Sequence, residues 1–286
     1  MRQPLCIVER SLMDRTDTPR FEAMTTGTLL DRAFRLYTNN FSLMLGITAV
    51  AYVPFYLIML MLESGLGISV HRPGGGLSTV LFLIVFIVLW ASVAFPIAGG
   101  AATYAISERY LGNEVTIGEA LRRGLGCFWT LSLAEITATI RMMFGILLLV
   151  VPGILWMLSY ALIVPAILIE GQKAMPSLRR SRDLVKGYRG KVFCVTMVII
   201  LLEMILGAGV GMISSWLFNP GSGGGALLSS AINNLASIFM TPLLIIATIL
   251  LYYDMRIRKE GFDLEMLSHA ITPNAESALV APTLSR

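Results

Sequence analysis

The sequence predicts an all-α membrane protein with six transmembrane helices and three amphipathic helices at the cytoplasmic interface. Three observations carry this. The chain of 286 residues is 56% apolar and only 14% charged, against about 45–50% and about 25% in an average soluble domain. The apolar residues gather into six stretches near the roughly 20 residues that a helix needs to cross a hydrocarbon core of about 30 Å. Twenty of the twenty-two Lys and Arg residues fall in segments that this threading places on one side.

The spans read as about 41–62, 79–107, 129–151, 154–169, 192–213 and 227–253. They form one membrane domain over 25–266, flanked by flexible cytoplasmic tails at 1–24 and 267–286. The first tail mixes charges with short apolar bits and lacks the apolar core of a signal peptide. Prolines 54, 96, 165 and 242 lie inside the spans, where neighbouring helices satisfy the carbonyls they free. Pro152-Gly153 reads as a tight outer turn, with Pro152 opening the fourth span.

Basic residues set the orientation. Region 1–40 holds six Lys and Arg, the segment between spans 2 and 3 holds Arg109, Arg122 and Arg123, and the segment between spans 4 and 5 holds seven, Lys173 to Lys191. The C-terminal tail holds four, whereas the opposite side carries only Arg72. Cytoplasmic loops carry the Lys/Arg excess, so both termini belong in the cytoplasm. This clustering is an orientation signal and not a nucleic-acid footprint. The outer connections hold Gly74–Gly76 and Gly223–Gly225, read as flexible loops because no Lys-Ser/Thr follows to make a phosphate loop.

A local pattern precedes the odd-numbered spans. Thr25 to Ala33 and Thr116 to Gly124 both fit T-x-G-x-x-L-x-R-small, and Leu178-Arg179-Arg180-Ser181 keeps its core. Thr25 and Thr116 are N-caps, Glu119 completes a capping box, and Pro176 opens the third helix. Each helix carries an apolar stripe: Leu30, Ala33, Phe34 and Tyr37; Ile117, Ala120, Leu121 and Phe128; Leu178, Ser181, Val185 and Tyr188. Such helices are expected in the interface, apolar face down. The equivalent arginines are Arg32, Arg123 and Arg180. The unit is helix–span–span, used three times in one orientation, which implies parallel repeats.

Three charges lie inside spans: Glu135, Arg141 and Glu203. Ionisable groups in hydrocarbon are expensive unless paired or hydrated. Counting about 1.5 Å per residue, Arg141 and Glu203 reach similar depth near the midplane, so they are a candidate ion pair. Such a pair either fixes how two helices dock, or lines an ion or proton path or a polar cavity for a headgroup. Asn233, Asn234, Thr137 and Thr139 read as interhelical hydrogen bonds, and Gly207-x-x-x-Gly211 and Ala98 to Ala102 as close packing or a dimer seam. The basic helix, with Arg179, Arg180, Arg182, Lys186 and Arg189, is the candidate contact for anionic lipid headgroups or a protein partner.

Four strings carry a family resemblance: Leu30 to Tyr37, Pro152-Gly153-Ile154, Pro165 to Gly171 with Ser177 to Gly187, and Tyr252 to Glu265. Over residues 25–266 they resemble bacterial integral membrane proteins grouped with the membrane domain of glycerophosphoryl diester phosphodiesterases. The resemblance implies a six-span inner-membrane protein and little about activity. The segments outside the spans are too short for the catalytic domain that names the family.

No G-x-S-x-G, H-E-x-x-H or Walker A motif is present. Cys6, Cys127 and Cys194 make no metal spacing, and His71 and His269 lie far apart. No enzyme activity, cofactor or metal is therefore expected. The leading expectation is a scaffold or accessory subunit contacting anionic lipid or partner proteins. The alternative is a transporter or channel for a small or lipid-like solute, using Glu135, Arg141 and Glu203.

Overall fold

The computed structural model describes residues 23–66, 77–110, 113–218 and 223–261, and among these it is helical throughout with no strand. Cys6, His71, Arg72, Gly74–Gly76, His269 and most of both tails lie outside the described residues.

Among the described residues eleven α-helices follow in chain order: α1 Thr26–Asn39, α2 Phe41–Leu66, α3 Leu77–Leu89, α4 Phe95–Tyr110, α5 Ile117–Gly126, α6 Phe128–Leu148, α7 Val150–Tyr160, α8 Ile163–Glu170, α9 Ala174–Val185, α10 Arg189–Leu217 and α11 Gly223–Glu260. A π-helical turn, Trp90–Ala94, joins α3 to α4. Among the described residues five stretches are long and apolar enough to cross a membrane: Phe41–Ile58, Phe128–Leu148, Val151–Glu170, Arg189–Leu217 and Leu227–Glu260. Their outward faces carry large apolar side chains, including Leu147, Ile205, Met212 and Trp216. Water does not tolerate so continuous an apolar surface on a soluble monomer. The chain is a multi-pass membrane protein.

Helix α11 is the axis of the bundle. It packs on α1, α2, α4, α8, α9 and α10, while α6 packs chiefly on α7 and α10 chiefly on α11. Pro242 sits inside α11 and cannot donate to Ile238, four residues back. The neighbouring Phe239 carbonyl finds another donor, the Tyr37 hydroxyl of α1 at 2.6 Å, while Thr48 of α2, back-bonded to Met44 at 3.0 Å, lies 3.4 Å from the Ile238 carbonyl. Pro96 follows the π-helical turn directly, a local widening that absorbs a lost helical bond.

Two of the three short helices begin at the caps that the sequence predicts. Thr25 and Thr116 cap α1 and α5, accepting from the backbone N–H of Thr28 and Glu119. The stripes, however, are covered by protein. Leu29, Ala33 and Tyr37 are buried in α1 while Phe34 is exposed, and Ala120 and Gly124 are buried in α5. A Cβ on Gly124 would meet the backbone of Ala101 at 2.6 Å, so the small-residue run of α4 is the seat of α5.

Three turns differ from expectation. Leu149 alone, in extended conformation, links α6 to α7, and Pro152 is the third residue of α7. A proline is tolerated there because first-turn N–H groups have no helical acceptor. Pro176 is likewise third in α9, behind Lys173 as cap. Gly223–Gly225 forms the first turn of α11 instead of a loop, since the helix is held further along by the bundle.

Candidate functional site

The fourth apolar stretch is two helices, α7 and α8, broken at Ala161–Leu162. Inside a membrane a break leaves backbone groups that need partners. Here Ser181 of α9 supplies them: the Leu162 N–H donates to its Oγ at 3.1 Å, and the Oγ donates to the Ser159 carbonyl at 2.8 Å. Ser181 is fully buried. The basic helix is thus drawn into the bundle and fastened to the break, instead of floating at the surface.

Beside the break lies a cavity of about 290 Å³. Its walls come from α4, α6, α7, α8, α10 and α11, and are mostly apolar: Phe95, Met142, Met157, Val164, Ile200 and Ile245 among them. Its polar groups are few: Thr103, Glu135, Tyr160, Thr196 and Thr248. The Thr103 Oγ1, on a residue 1% exposed, has no hydrogen-bond partner among the described residues. No hydrogen bond or ion pair joins the Glu135 carboxyl to another described residue. A mostly apolar pocket with a few convergent polar groups is the usual form of a small-molecule site. Its chemistry suits an apolar body with one hydrogen-bonding or cationic group.

The other intramembrane charges are placed apart. Arg141 does not meet Glu203; its Nη1 donates to the Tyr160 hydroxyl at 3.3 Å. Glu203 lines a separate cavity of about 140 Å³ with Asn233, Asn234, Ser237 and Thr241. Equal depth on two spans does not bring residues together when each span packs on its own successor, α6 on α7 and α10 on α11. The predicted interhelical bonds of Thr137 and Asn233 are also local: Thr137 donates to Leu133 and Asn233 to Ser229, each four residues back, the common back-bond of such side chains in helices. Of the G-x-x-x-G pair, Gly211 faces Asn233 inside the bundle and Gly207 faces open space.

The basic helix divides in two. Arg180 donates through Nε and Nη2 to both oxygens of Glu170, at 2.7–2.9 Å, and also to Glu260. Arg256 joins Glu260 at 3.2 Å, and the Tyr252 hydroxyl donates to Glu170 at 2.7 Å. Burial works against the Arg180 charge, but the bonds from Glu260 and Glu170 outweigh it and hold its guanidinium above the usual arginine range. Gly171, with φ of 66°, ends α8 in a left-handed turn that leaves Glu170 facing Arg180. Arg179, Lys186 and Arg189 are exposed, and none forms an ion pair among the described residues.

A second clamp uses Asp254, which is fully buried. It accepts from the Met24 N–H at 2.7 Å, from Lys191 and from Arg258 at 3.0 Å, and Arg258 also donates to the Met24 carbonyl. The segment before α1 is thereby tied to the start of α10 and the end of α11. The three arginines of the recurring pattern have unlike partners: Arg32 lies 3.7 Å from the Met24 sulfur, Arg123 lies over the Tyr104 ring, and Arg180 pairs with carboxylates. Sequence reasoning missed Thr103 and Tyr160 and read Ser181 only as part of an apolar stripe; the one visible signal was Ser159-Tyr160 interrupting an unusually short apolar run.

A family profile described as a domain of unknown function (DUF7847) matches residues 112–253. No curated protein and no solved structure matches the chain. The matched stretch contains α5 to α10 and most of α11, hence much of the cavity wall and the break.

Proposed function

We propose that the protein is a non-enzymatic, six-span bacterial inner-membrane protein that binds a lipid-like amphiphile inside its helical bundle. The observation that carries this reading is the cavity beside the α7–α8 break, apolar over most of its wall and holding an unpaired carboxyl at Glu135 and an unpaired hydroxyl at Thr103. Broken helices near the midplane are where membrane proteins gather substrate sites. Handling of such a solute, by transport or by holding, is favoured over pure scaffolding because a scaffold has no use for an orphaned carboxyl deep in its bundle.

The sixth crossing in this reading is α3, the π-helical turn and α4, residues 77–110, roughly 50 Å at 1.5 Å per residue and so able to cross at a tilt. The three helix–span–span units are α1–α2–α3/α4, α5–α6–α7/α8 and α9–α10–α11, a parallel arrangement. The Lys/Arg bias supports putting the short helices and both termini at the cytoplasmic side in this reading. Kinship with the membrane domain of glycerophosphoryl diester phosphodiesterases belongs to the same proposal. A second reading, contact with anionic lipid or a partner protein, draws support from exposed Arg179, Lys186 and Arg189.

The test is retention of amphiphile by purified protein. Native mass spectrometry from mild detergent is expected to show wild type carrying about one co-purified amphiphile. Ala138→Phe, which fills the cavity from a residue 2% exposed, is expected to lose it while keeping its elution profile. Equal retention by both proteins would dismiss the cavity as the site.

A further inference from the structure

Two arginines converge on one tyrosine at the edge of the cavity. Arg182 Nη2 of α9 donates to the Tyr160 hydroxyl at 3.0 Å, and Arg141 Nη1 of α6 donates to the same oxygen at 3.3 Å. The register is set by the backbone. Ser181 bonds Ser159, and the next residue on each element, Arg182 and Tyr160, forms the next bond. Tyr160 itself is 5% exposed, so the oxygen that both guanidiniums share is held rigidly.

This arrangement is electrostatically incomplete. Both arginines are exposed, and neither forms an ion pair among the described residues. Their shared acceptor is a tyrosine hydroxyl and not a carboxylate. Two like charges brought onto one oxygen repel, and Arg141 stands within the membrane-length helix Phe128–Leu148, where an uncompensated charge is costly. What completes such a site is a doubly accepting anion. Guanidinium forks match phosphate oxygens two at a time and bind them more strongly than neutral acceptors. The contrast with Arg180 is instructive: that arginine has two carboxylates and is full.

We propose that Arg141 and Arg182 bind the phosphate headgroup of an amphiphile whose apolar part enters the cavity lined by Tyr160. This rests on the reading that the cavity holds an amphiphile, and it names the headgroup class. The Tyr160 ring belongs to the cavity wall, together with Met142 and Met157, so headgroup and tail positions are contiguous. Arg179, Lys186 and Arg189 are exposed and have no such shared acceptor among the described residues.

The experiment compares three probes on the full-length protein in detergent by native mass spectrometry: phosphatidic acid, diacylglycerol with the same chains, and glycerol 3-phosphate. Wild type is expected to favour phosphatidic acid over diacylglycerol by at least about tenfold, the worth of one charge-assisted hydrogen bond. Arg141→Gln and Arg182→Gln each remove most of that preference and leave diacylglycerol binding unchanged. Arg141→Lys, which keeps the charge and loses the fork, retains only part of it. If the glutamine variants elute as aggregates, Tyr160→Phe, which deletes the shared acceptor, is read in their place and is expected to weaken the preference.

An undiminished preference in the double glutamine variant overturns the proposal, as does equal binding of the two lipids by wild type. If Ala138→Phe leaves phosphatidic acid binding intact, the phosphate site stands and the cavity reading fails. Equal binding of the two lipids by wild type, with diacylglycerol still excluded by Ala138→Phe, is the reverse case: the phosphate site fails and the cavity reading stands. Displacement of phosphatidic acid by glycerol 3-phosphate at equal concentration supports phosphate recognition and assigns it to a soluble ester instead of a membrane lipid.

Discussion

One end of the bundle and its middle use the same residue types to opposite ends. At that end, Glu170, Glu260 and Asp254 each meet cations, and every one of Arg180, Arg256, Arg258 and Lys191 has an acidic partner. Along the spans, Glu135 and Glu203 line separate cavities and the exposed Arg141 finds a phenol. Desolvating a charge is expensive in both places. Where the cost is offset by partners within the chain, the charge fastens helices. Where it is not, the missing partner is what the proposal of a bound amphiphile rests on.

The comparison can be broken first at Asp254. Asp254→Ala leaves Lys191 and Arg258 facing a void, and removal of one partner of a buried pair costs about 3–5 kcal/mol. Thermal or denaturant unfolding in mild detergent should show the loss, and a change below about 1 kcal/mol would mean that the clamp is incidental. Arg180→Gln comes next. Its side chain is 26% exposed, so solvent screening lowers the expected loss to about 2 kcal/mol. Arg179→Gln, one residue away, should stay within about 0.5 kcal/mol of wild type. Equal effects at 179 and 180 would erase the division of the basic helix.

The interior charges should behave in the other sense. Glu135→Gln removes a carboxylate that lacks a partner, so stability should hold or rise by up to about 1 kcal/mol while amphiphile retention falls. A stability loss near that of Asp254→Ala would show that Glu135 is structural. The smallest effect concerns thiols. In a Cys6→Ser background, Cys127 should react with a soluble maleimide more slowly than an exposed model thiol, because burial pushes its thiol upward and the thiolate is the reactive form. Cys194 is exposed, on a helix that turns most of its surface outward, so a membrane-permeant maleimide should reach it first.

The sequence by itself determined the membrane class, the position of the long helices and the starts of α1 and α5. These follow from local physics: apolar stretches seek hydrocarbon, and a threonine three residues before a free N–H caps it. Sequence also singled out Glu135, Arg141 and Glu203, because charge inside an apolar run is visible without a fold. Only the tertiary structure decided who partners whom. Depth can be counted along a helix, but the direction in which a residue faces depends on which neighbour the helix packs against. That is why Arg141 turned toward Tyr160 and away from Glu203. The same limit hid Ser181, whose role exists only because α7 breaks where α9 passes. A helix reports its periodicity locally, whereas a shared acceptor or an orphaned hydroxyl is a property of several helices at once.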